Sequence, residues 1–111
     1  LLEQGLEDQA NAYFRRSYSQ YVHAPWGIWW ETIHGGASNF LTGAGGFLQG
    51  IPFGFAGIRI TEEALVFLNV PVLPDSLEDG FYLNGVMYAG ASLDVEMSHS
   101  TLTISYDGVK P

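Results

Sequence analysis

Glu31 is the carboxylate in this sequence that is best placed for chemistry, because it directly follows two of the three tryptophans, Trp29 and Trp30. Burial beside apolar rings disfavours the ionised form of a carboxyl group, which suits proton transfer near neutral pH. Aromatic planes also pack against the apolar faces of sugar rings. We therefore interpret Trp-Trp-Glu as a candidate carbohydrate site. The alternative is that the tryptophans belong to a core and Glu31 pairs with an arginine.

Glycine is concentrated after this carboxylate, where eight of the 14 glycines lie between Gly35 and Gly57. This density is typical of a backbone with positive φ angles or of close backbone approach. The glycine loop at Thr42–Gly46 could hold an anion or a sugar hydroxyl with backbone N–H groups at a helix start, or it could be a tight loop packed against its neighbours. The loop lacks the GxGxxG spacing and the lysine of a phosphate-binding loop, which argues against a nucleotide.

Glu31 and His34 have the spacing with which a helix can direct two side chains at one metal ion. Gly35 and Gly36 follow at once, which disfavours a helix, and no second cluster of ligands accompanies the pair. The chain has no cysteine, so thiolate zinc sites, disulfides and thiol nucleophiles are excluded. We expect neither a metal nor an organic cofactor.

Helical spacing of apolar residues predicts one helix from Leu2 to about Tyr21, with Arg15 and Arg16 toward its end as the helix dipole favours. Pro25 then disfavours helical geometry. A short and weaker helix is indicated around Gly45–Phe55. The first helix is therefore expected to lack a strong second helix that would cover its apolar face.

Strands are predicted in the C-terminal half, because apolar and polar residues alternate there with a period of two. The apolar positions are Ile58 and Ile60, Leu65 and Phe67, Leu93, Val95 and Met97, and Leu102, Ile104 and Tyr106. Turn residues between them are expected at Asn84-Gly85, Ala89-Gly90 and Asp107-Gly108. The pattern predicts antiparallel strands with one face in a core.

Composition narrows the classes of partner. The 111 residues carry four Lys and Arg against twelve Asp and Glu, a net charge of −8, and 47% are hydrophobic. A chain this apolar is expected to fold, and four cations do not neutralise a nucleic-acid backbone, so nucleic acid is excluded. No apolar run is long enough for a transmembrane helix, and we expect no membrane partner.

One helix, a glycine-rich segment and four or five strands are an unbalanced set of apolar faces for an independent domain. The chain also opens at Leu1 rather than at a methionine. We therefore expect an α+β fragment, the tail of something larger.

Three stretches resemble a known family. They run from Pro25 to Glu31 (PWGIWWE), from Asn39 to Gln49 (NFLTGAGGFLQ) and from Phe53 to Ile60 (FGFAGIRI). They are similar to the C-terminal part of glycoside hydrolase family 65, in the branch of the acid-trehalase-like proteins and the protein-glucosylgalactosylhydroxylysine glucosidases. That branch has V-W-[ST]-E, N-F-L-T-G-x-G-G-F-L-Q and F-G-x-x-G-[FIL]-R in these places. Val70–Pro74 and Val86–Val95 resemble the family's C-terminal sheet.

The resemblance implies a fold and a reaction. Residues 1–56 would hold the last helices of an (α/α)6 barrel, and residues 57–111 part of an antiparallel β-sheet or β-sandwich domain. The reaction would be hydrolysis, with inversion, of a terminal α-linked glucose from a disaccharide or glycoconjugate. Trehalose, kojibiose and glucosylgalactosyl-hydroxylysine are the substrates that the family suggests.

The resemblance also assigns roles. Glu31 aligns with the general base that activates water, while a second carboxylic acid protonates the leaving oxygen. The residues expected to line the sugar site are Trp29, Trp30, His34, Thr42, Gly43, Gly45 and Gly46. The family's general acid lies upstream, so we expect the 111-residue chain alone to be inactive and to depend on the remainder of the same enzyme.

Three alternatives remain open. Glu31-Thr32-Ile33-His34 partly matches the E-G-I-H motif of the family's phosphorylases, in which phosphate replaces water as the attacking group. A carbohydrate-binding module would use the tryptophans without hydrolysis, and a degenerate relative would be purely structural.

For compartment, the acidic composition favours a lysosome, a vacuole or the exterior over the cytoplasm.

Overall fold

The computed structural model describes residues 1–68 and 72–108. The chain divides into two compact units, Leu1–Ile51 and a second that begins at Pro52. Two helices and three antiparallel sheets are present in the described residues, so the predicted α+β class is confirmed. The (α/α)6 barrel and the domain boundary after residue 56 remain predictions. Val70 and Pro71, part of one stretch of the resemblance, lie outside the described residues.

The first helix is shorter than its apolar spacing predicts. A 3-10 turn spans Leu2–Gln4 and ends at Gly5, whose φ of 71° is a left-handed conformation that glycine adopts freely. Helix α1 then spans Glu7–Ser19. The prediction of one helix from Leu2 to about Tyr21 is therefore wrong at its start, because Gly5 interrupts it, whereas the end at Ser19 lies two residues before the predicted one. No helix in the described residues is long and apolar enough to cross a membrane.

A small antiparallel sheet follows where the sequence predicts no strand. Its strands are β1 (Val22–His23), β2 (Ile28–Thr32) and β3 (Gly35–Ser38), with β2 in the centre. Strand β2 has the sequence Ile-Trp-Trp-Glu-Thr, which is rich in the β-branched and aromatic residues that favour strands. The register shifts between Trp30 and Thr32, so Glu31 lies at an irregularity of this sheet.

Helix α2 spans Leu41–Gln49 and is followed by a π-helical segment, Gly50–Phe55. The expected loop at Thr42–Gly46 is therefore wrong, and the helix expected around Gly45–Phe55 begins earlier. The expectation that α1 lacks a second helix is also wrong, because the Phe14 ring stacks on the Phe47 ring of α2 at 5.0 Å. This contact compensates for the glycines that lower the helix propensity of α2.

The second unit contains two antiparallel sheets. Strands β4 (Ile58–Ile60) and β5 (Leu65–Phe67) form a hairpin, and β6 (Phe81–Tyr88), β7 (Ala91–Met97) and β8 (Leu102–Gly108) form a three-stranded sheet in that order. All four predicted strand runs are confirmed. Strand β6 is the one that the alternation does not reveal.

Only one of the three predicted turns is a turn. Ala89 and Gly90 connect β6 to β7 with φ angles of 48° and 82°, which suits a two-residue hairpin turn. Asn84 and Gly85 instead lie inside β6, where the register shifts and the Gly85 N–H donates to Asp94 Oδ1 at 2.9 Å. Asp107-Gly108 is the end of β8 rather than a turn.

The core of the second unit lies under the inward face of β7. The side chains of β7 alternate between buried and more exposed, as the sequence predicts. The buried apolar residues are Phe55, Ala56, Ile58, Leu73, Phe81, Ala91, Leu93, Val95 and Met97. Strand β8 pairs only with β7 among the described residues, and every residue after Leu102 in it is exposed. The sheet therefore ends in an open edge.

Gly57 and Arg59 stabilise the backbone at the start of this unit. A Cβ atom at Gly57 would lie 2.3 Å from the Leu68 carbonyl oxygen, so only glycine fits there. The Arg59 guanidinium donates to the carbonyl oxygens of Phe53 and Ile58 at 2.6 and 2.8 Å. These two residues of the F-G-x-x-G-x-R stretch therefore have structural roles.

Candidate active site

Strand β2 places the two tryptophans on opposite faces of the small sheet, because side chains alternate along a strand. The Trp29 ring lies 5.0 Å from the Phe47 ring of α2, whereas the Trp30 ring stacks on His23 at 3.9 Å with 25° between their planes. Trp29 and Trp30 are both half-buried. Their orientations are therefore fixed by ring contacts on both sides of β2.

Phe47 is the centre of an aromatic cluster that joins both helices to β2. Its ring contacts Phe14 and Tyr18 of α1 at 5.0 and 5.6 Å, in stacked and edge-on geometries, in addition to Trp29. Such geometries match the attraction between the face and the edge of aromatic rings. The cluster fixes the position of α2 against β2.

These elements surround an open concavity of about 410 Å³. Its lining combines aromatic rings, glycine backbone, the hydroxyl-bearing residues Ser17 and Tyr21, and one carboxylate. The lining residues are Phe14, Ser17, Tyr21, Trp29, Trp30, Glu31, Phe40, Gly43, Gly46, Phe47 and Gly50. Mostly apolar walls with a few polar groups are typical of a site for a small ligand.

Glu31 is the charged residue of this lining. Its Oε2 atom accepts a hydrogen bond from the Ala37 N–H at 3.1 Å, and no hydrogen bond to Oε1 is found among residues 1–68 and 72–108. The side chain is exposed, so the expected burial of Glu31 among aromatic rings is wrong for this chain. The backbone of β3 holds the carboxylate, and no arginine of the described residues pairs with it, so the arginine pairing of the alternative interpretation is not found there.

The structure brings together five of the eight predicted site residues: Trp29, Trp30, Glu31, Gly43 and Gly46 all line the concavity. Thr42, Gly45 and His34 do not. Thr42 and Gly45 lie on a different side of α2 from the lining residues Gly43 and Gly46. His34 lies in the turn after β2, where its backbone N–H donates to Thr32 Oγ1 at 3.3 Å.

Gly43 allows α2 to lie directly against β2. A Cβ atom there would lie 2.8 Å from Phe40 Cδ1, closer than real Cβ atoms pack, and 3.3 Å from Trp29 Cδ1, which is a tight contact. At Gly45 and Gly46 the same atom would meet nothing within 4 Å. Gly43 and Gly46 thus line the concavity from the surface of a helix rather than from the expected loop.

Sequence reasoning missed the aromatic residues that complete the walls: Phe14, Tyr21, Phe40 and Phe47. The helical spacing of the first segment places Phe14 on its apolar face, but that spacing does not show that this face borders a concavity. Within residues 1–68 and 72–108, no three His, Asp or Glu side chains come together in an arrangement that could hold a metal ion.

Several known proteins with similar sequences share one name. The protein-glucosylgalactosylhydroxylysine glucosidase of Dictyostelium discoideum is 38% identical over 100 residues, which are 90% of this chain and 14% of that protein. The protein of the same name from Mus musculus is 38% identical over 97 residues, 86% of this chain and 14% of the relative. The one from Danio rerio is 34% identical over 105 residues, 94% of this chain and 15% of the relative.

This chain is related in sequence to the protein-glucosylgalactosylhydroxylysine glucosidases. The predicted resemblance to this branch is thereby confirmed, and its similarity covers nearly the whole chain. The chain spans about a seventh of the length of these glucosidases, 14% in the first two cases. No family model matches the chain, and no solved structure matches it. Membership of glycoside hydrolase family 65 itself remains a prediction.

Proposed function

We propose that this chain is part of an inverting α-glucosidase of family 65 that removes the terminal glucose from a glucosylgalactosyl-hydroxylysine unit, with Glu31 as general base. The observation that carries the proposal is a single carboxylate at the wall of an aromatic concavity, in a chain related to glucosidases with that substrate in their name. In this proposal residues 1–56 supply the last helices of the barrel.

The chemistry assigns each group a task. Water would lose its proton to Glu31 as its oxygen forms a bond to the anomeric carbon of glucose, from the face opposite the leaving group. The anchored Oε2 fixes the carboxylate, and Oε1 is the oxygen that would accept the proton. Trp29 and Phe47 would contact the apolar face of the sugar ring.

A second carboxylic acid has to protonate the leaving oxygen, about 6.5–9.5 Å from the base in an inverting enzyme. Among the residues that the structure describes, Glu31 is the one acid that lines this concavity. In this proposal the general acid therefore comes from the remainder of the enzyme, and the chain acts as one wall of a site that another segment completes.

The test is Glu31→Gln in the longer protein that contains this chain, assayed with glucosylgalactosyl-hydroxylysine. Replacing the base by an amide of the same shape should lower kcat about a thousandfold. Glu7→Gln is the matched control, because Glu7 is an exposed acid in the first turn of α1 and does not line the concavity. Early product should be β-glucose by NMR, as inversion requires.

Other results would redirect the proposal. Full activity of Glu31→Gln would exclude the general-base role. Dependence of turnover on added phosphate would favour phosphorolysis. Sugar binding without glucose release, in the unmodified protein, would favour a binding module.

A further inference from the structure

The turn between β2 and β3 folds back on the Glu31 side chain. Ala37 lies six residues after Glu31 in sequence, yet its N–H donates to Glu31 Oε2 at 3.1 Å. Thr32 closes the turn, because its hydroxyl donates to the Gly35 carbonyl oxygen at 3.0 Å and accepts the His34 N–H at 3.3 Å. The shape of the turn is thus set by bonds that do not involve the carboxylate.

Gly36 lies directly against the carboxylate. A Cβ atom built there would be 2.9 Å from Glu31 Oε2 and 3.1 Å from Glu31 Cβ. The first distance is shorter than real Cβ contacts, so a methyl group at this position would displace the carboxylate. The absence of a side chain at Gly36 is therefore what lets Glu31 reach the Ala37 amide.

Gly35 provides a natural comparison. Both glycines have positive φ angles, 134° at Gly35 and 85° at Gly36, so an alanine is strained at either position. At Gly35, however, an added Cβ atom would meet nothing within 4 Å. The two positions share the backbone requirement and differ in their contact with Glu31.

We infer that the β2–β3 turn is a positioning device for the proposed base: Gly36 makes room for the Glu31 carboxylate, and the Ala37 amide anchors Oε2 so that Oε1 is directed at the attacking water. This inference rests on the proposed function of Glu31. Gly36 and Ala37 are positioning residues, because they act on the reaction through Glu31. The role is separate from the packing of α2, which depends on Gly43 and Phe47.

The test compares Gly36→Ala with Gly35→Ala in the longer protein. Both variants should lose thermal stability, because both put alanine at a positive φ, and Gly36→Ala also adds the contact with Glu31. Only Gly36→Ala should in addition lower kcat, by about tenfold to a hundredfold, since a displacement of about 1 Å has effects of that size. KM should stay within about twofold, because the ring contacts of the sugar site are unchanged.

A double-mutant cycle links the effect to Glu31. In the Glu31→Asp background the carboxylate is one methylene shorter, so its oxygens no longer lie against Gly36 and only the contact with the Cβ atom of residue 31 remains. Gly36→Ala should then lower kcat less than it does beside Glu31. If Gly36→Ala fails to fold, Ala37→Pro provides the second variant. It removes the anchoring N–H and should lower kcat with KM preserved.

The outcomes separate the inference from the proposed function. Equal kcat values for Gly36→Ala and Gly35→Ala, in an enzyme that Glu31→Gln inactivates, would overturn the positioning role and leave the base assignment intact. Additive losses in the Glu31→Asp background would overturn it as well. Full activity of Glu31→Gln would instead remove the proposed function first.

Discussion

In the second unit, the inward residues of β7 expose between 0% and 5% of their surface, whereas no side chain within residues 1–51 is buried. The first unit even leaves Trp26 and Leu41 82% and 80% exposed. Both units are rich in apolar residues, but only the second covers them with its own elements. The difference indicates that the second unit is stabilised by its own core, while the first presents an apolar surface.

This contrast is consistent with the location of the proposed active site in the first unit. A carboxylate and aromatic rings can serve a ligand only where the protein has not used them to fill its core. Strand β2 and helix α2 contact each other through Trp29 and Phe47 and still leave a concavity beside Glu31. In the second unit, Asp94 and Glu96 accept hydrogen bonds from Gly85 and Tyr82 on the outer face of the sheet, and they contribute to its structure.

The largest effect on stability is expected when a substitution creates a cavity in the core of the second unit. Met97→Ala should lower the free energy of unfolding by about 3 kcal/mol, because Met97 is 2% exposed and truncating a buried side chain leaves a cavity. Met87→Ala is the matched control, since Met87 lies in the same sheet and is 69% exposed. Hydrogen exchange of the peptides that cover β7, in the longer protein, measures the loss. Equal losses for the two methionines would contradict a self-contained core.

A smaller effect, of opposite sign at two positions, is expected in helix α2. Gly45→Ala should stabilise the protein by up to about 1 kcal/mol, because alanine is the better helix former and its methyl group meets open space. Gly43→Ala should destabilise it by about 1 kcal/mol, since the methyl group collides with the Phe40 ring. Thermal unfolding of the two variants compares them. Stabilisation by both would mean that α2 does not pack closely on β2.

The smallest effect is expected at alkaline pH. The hydrogen bond from the Tyr82 hydroxyl to Glu96 Oε1, 2.8 Å long, and the nearby negative charge raise the pKa of Tyr82 above its usual 10.0. The folded state therefore holds this proton more tightly than the unfolded state. Its contribution is complete below the unfolded pKa and disappears as the pH rises through the folded pKa. Thermal unfolding measured at pH values below and above that range should show this loss of stability with rising pH.

Variants of this pair test the assignment. Tyr82→Phe and Glu96→Gln should each reduce the alkaline loss of stability, and the double variant should reduce it no further. A slope that both single variants leave unchanged would show that other groups cause it.

The second unit was largely predictable because its strands obey a local rule. Alternation at Leu93, Val95 and Met97 indicates β7 by itself, since one face of the strand is buried. Asn84-Gly85 was read as a turn because the dipeptide favours one, but the long strand β6 continues through it as a bulge. The choice between turn and bulge depends on the Asp94 side chain of the neighbouring strand, which local sequence does not reveal.

The first unit was less predictable because its structure depends on contacts between distant residues. Five glycines or small residues in Thr42–Gly46 indicate a loop by propensity, yet Phe47 packs on Phe14 and Trp29 and stabilises a helix there. The candidate base was found by its aromatic neighbours in sequence. Its exposure and its anchoring by Ala37 were not predictable, because they depend on the β2–β3 turn, which brings Ala37 back to Glu31 from six residues away in sequence.

The open edge at β8 has a consequence for handling the protein. Ile104 and Tyr106 share the inward face of this strand and remain 41% and 53% exposed, and the strand's outer backbone groups have no partner strand among residues 1–68 and 72–108. Such an edge is a template for intermolecular strand pairing, and the apolar side chains beside it strengthen the association. For a preparation of this chain, strand pairing at β8 is therefore the first route to aggregation to guard against, and charged residues at this edge are the natural means of improving solubility.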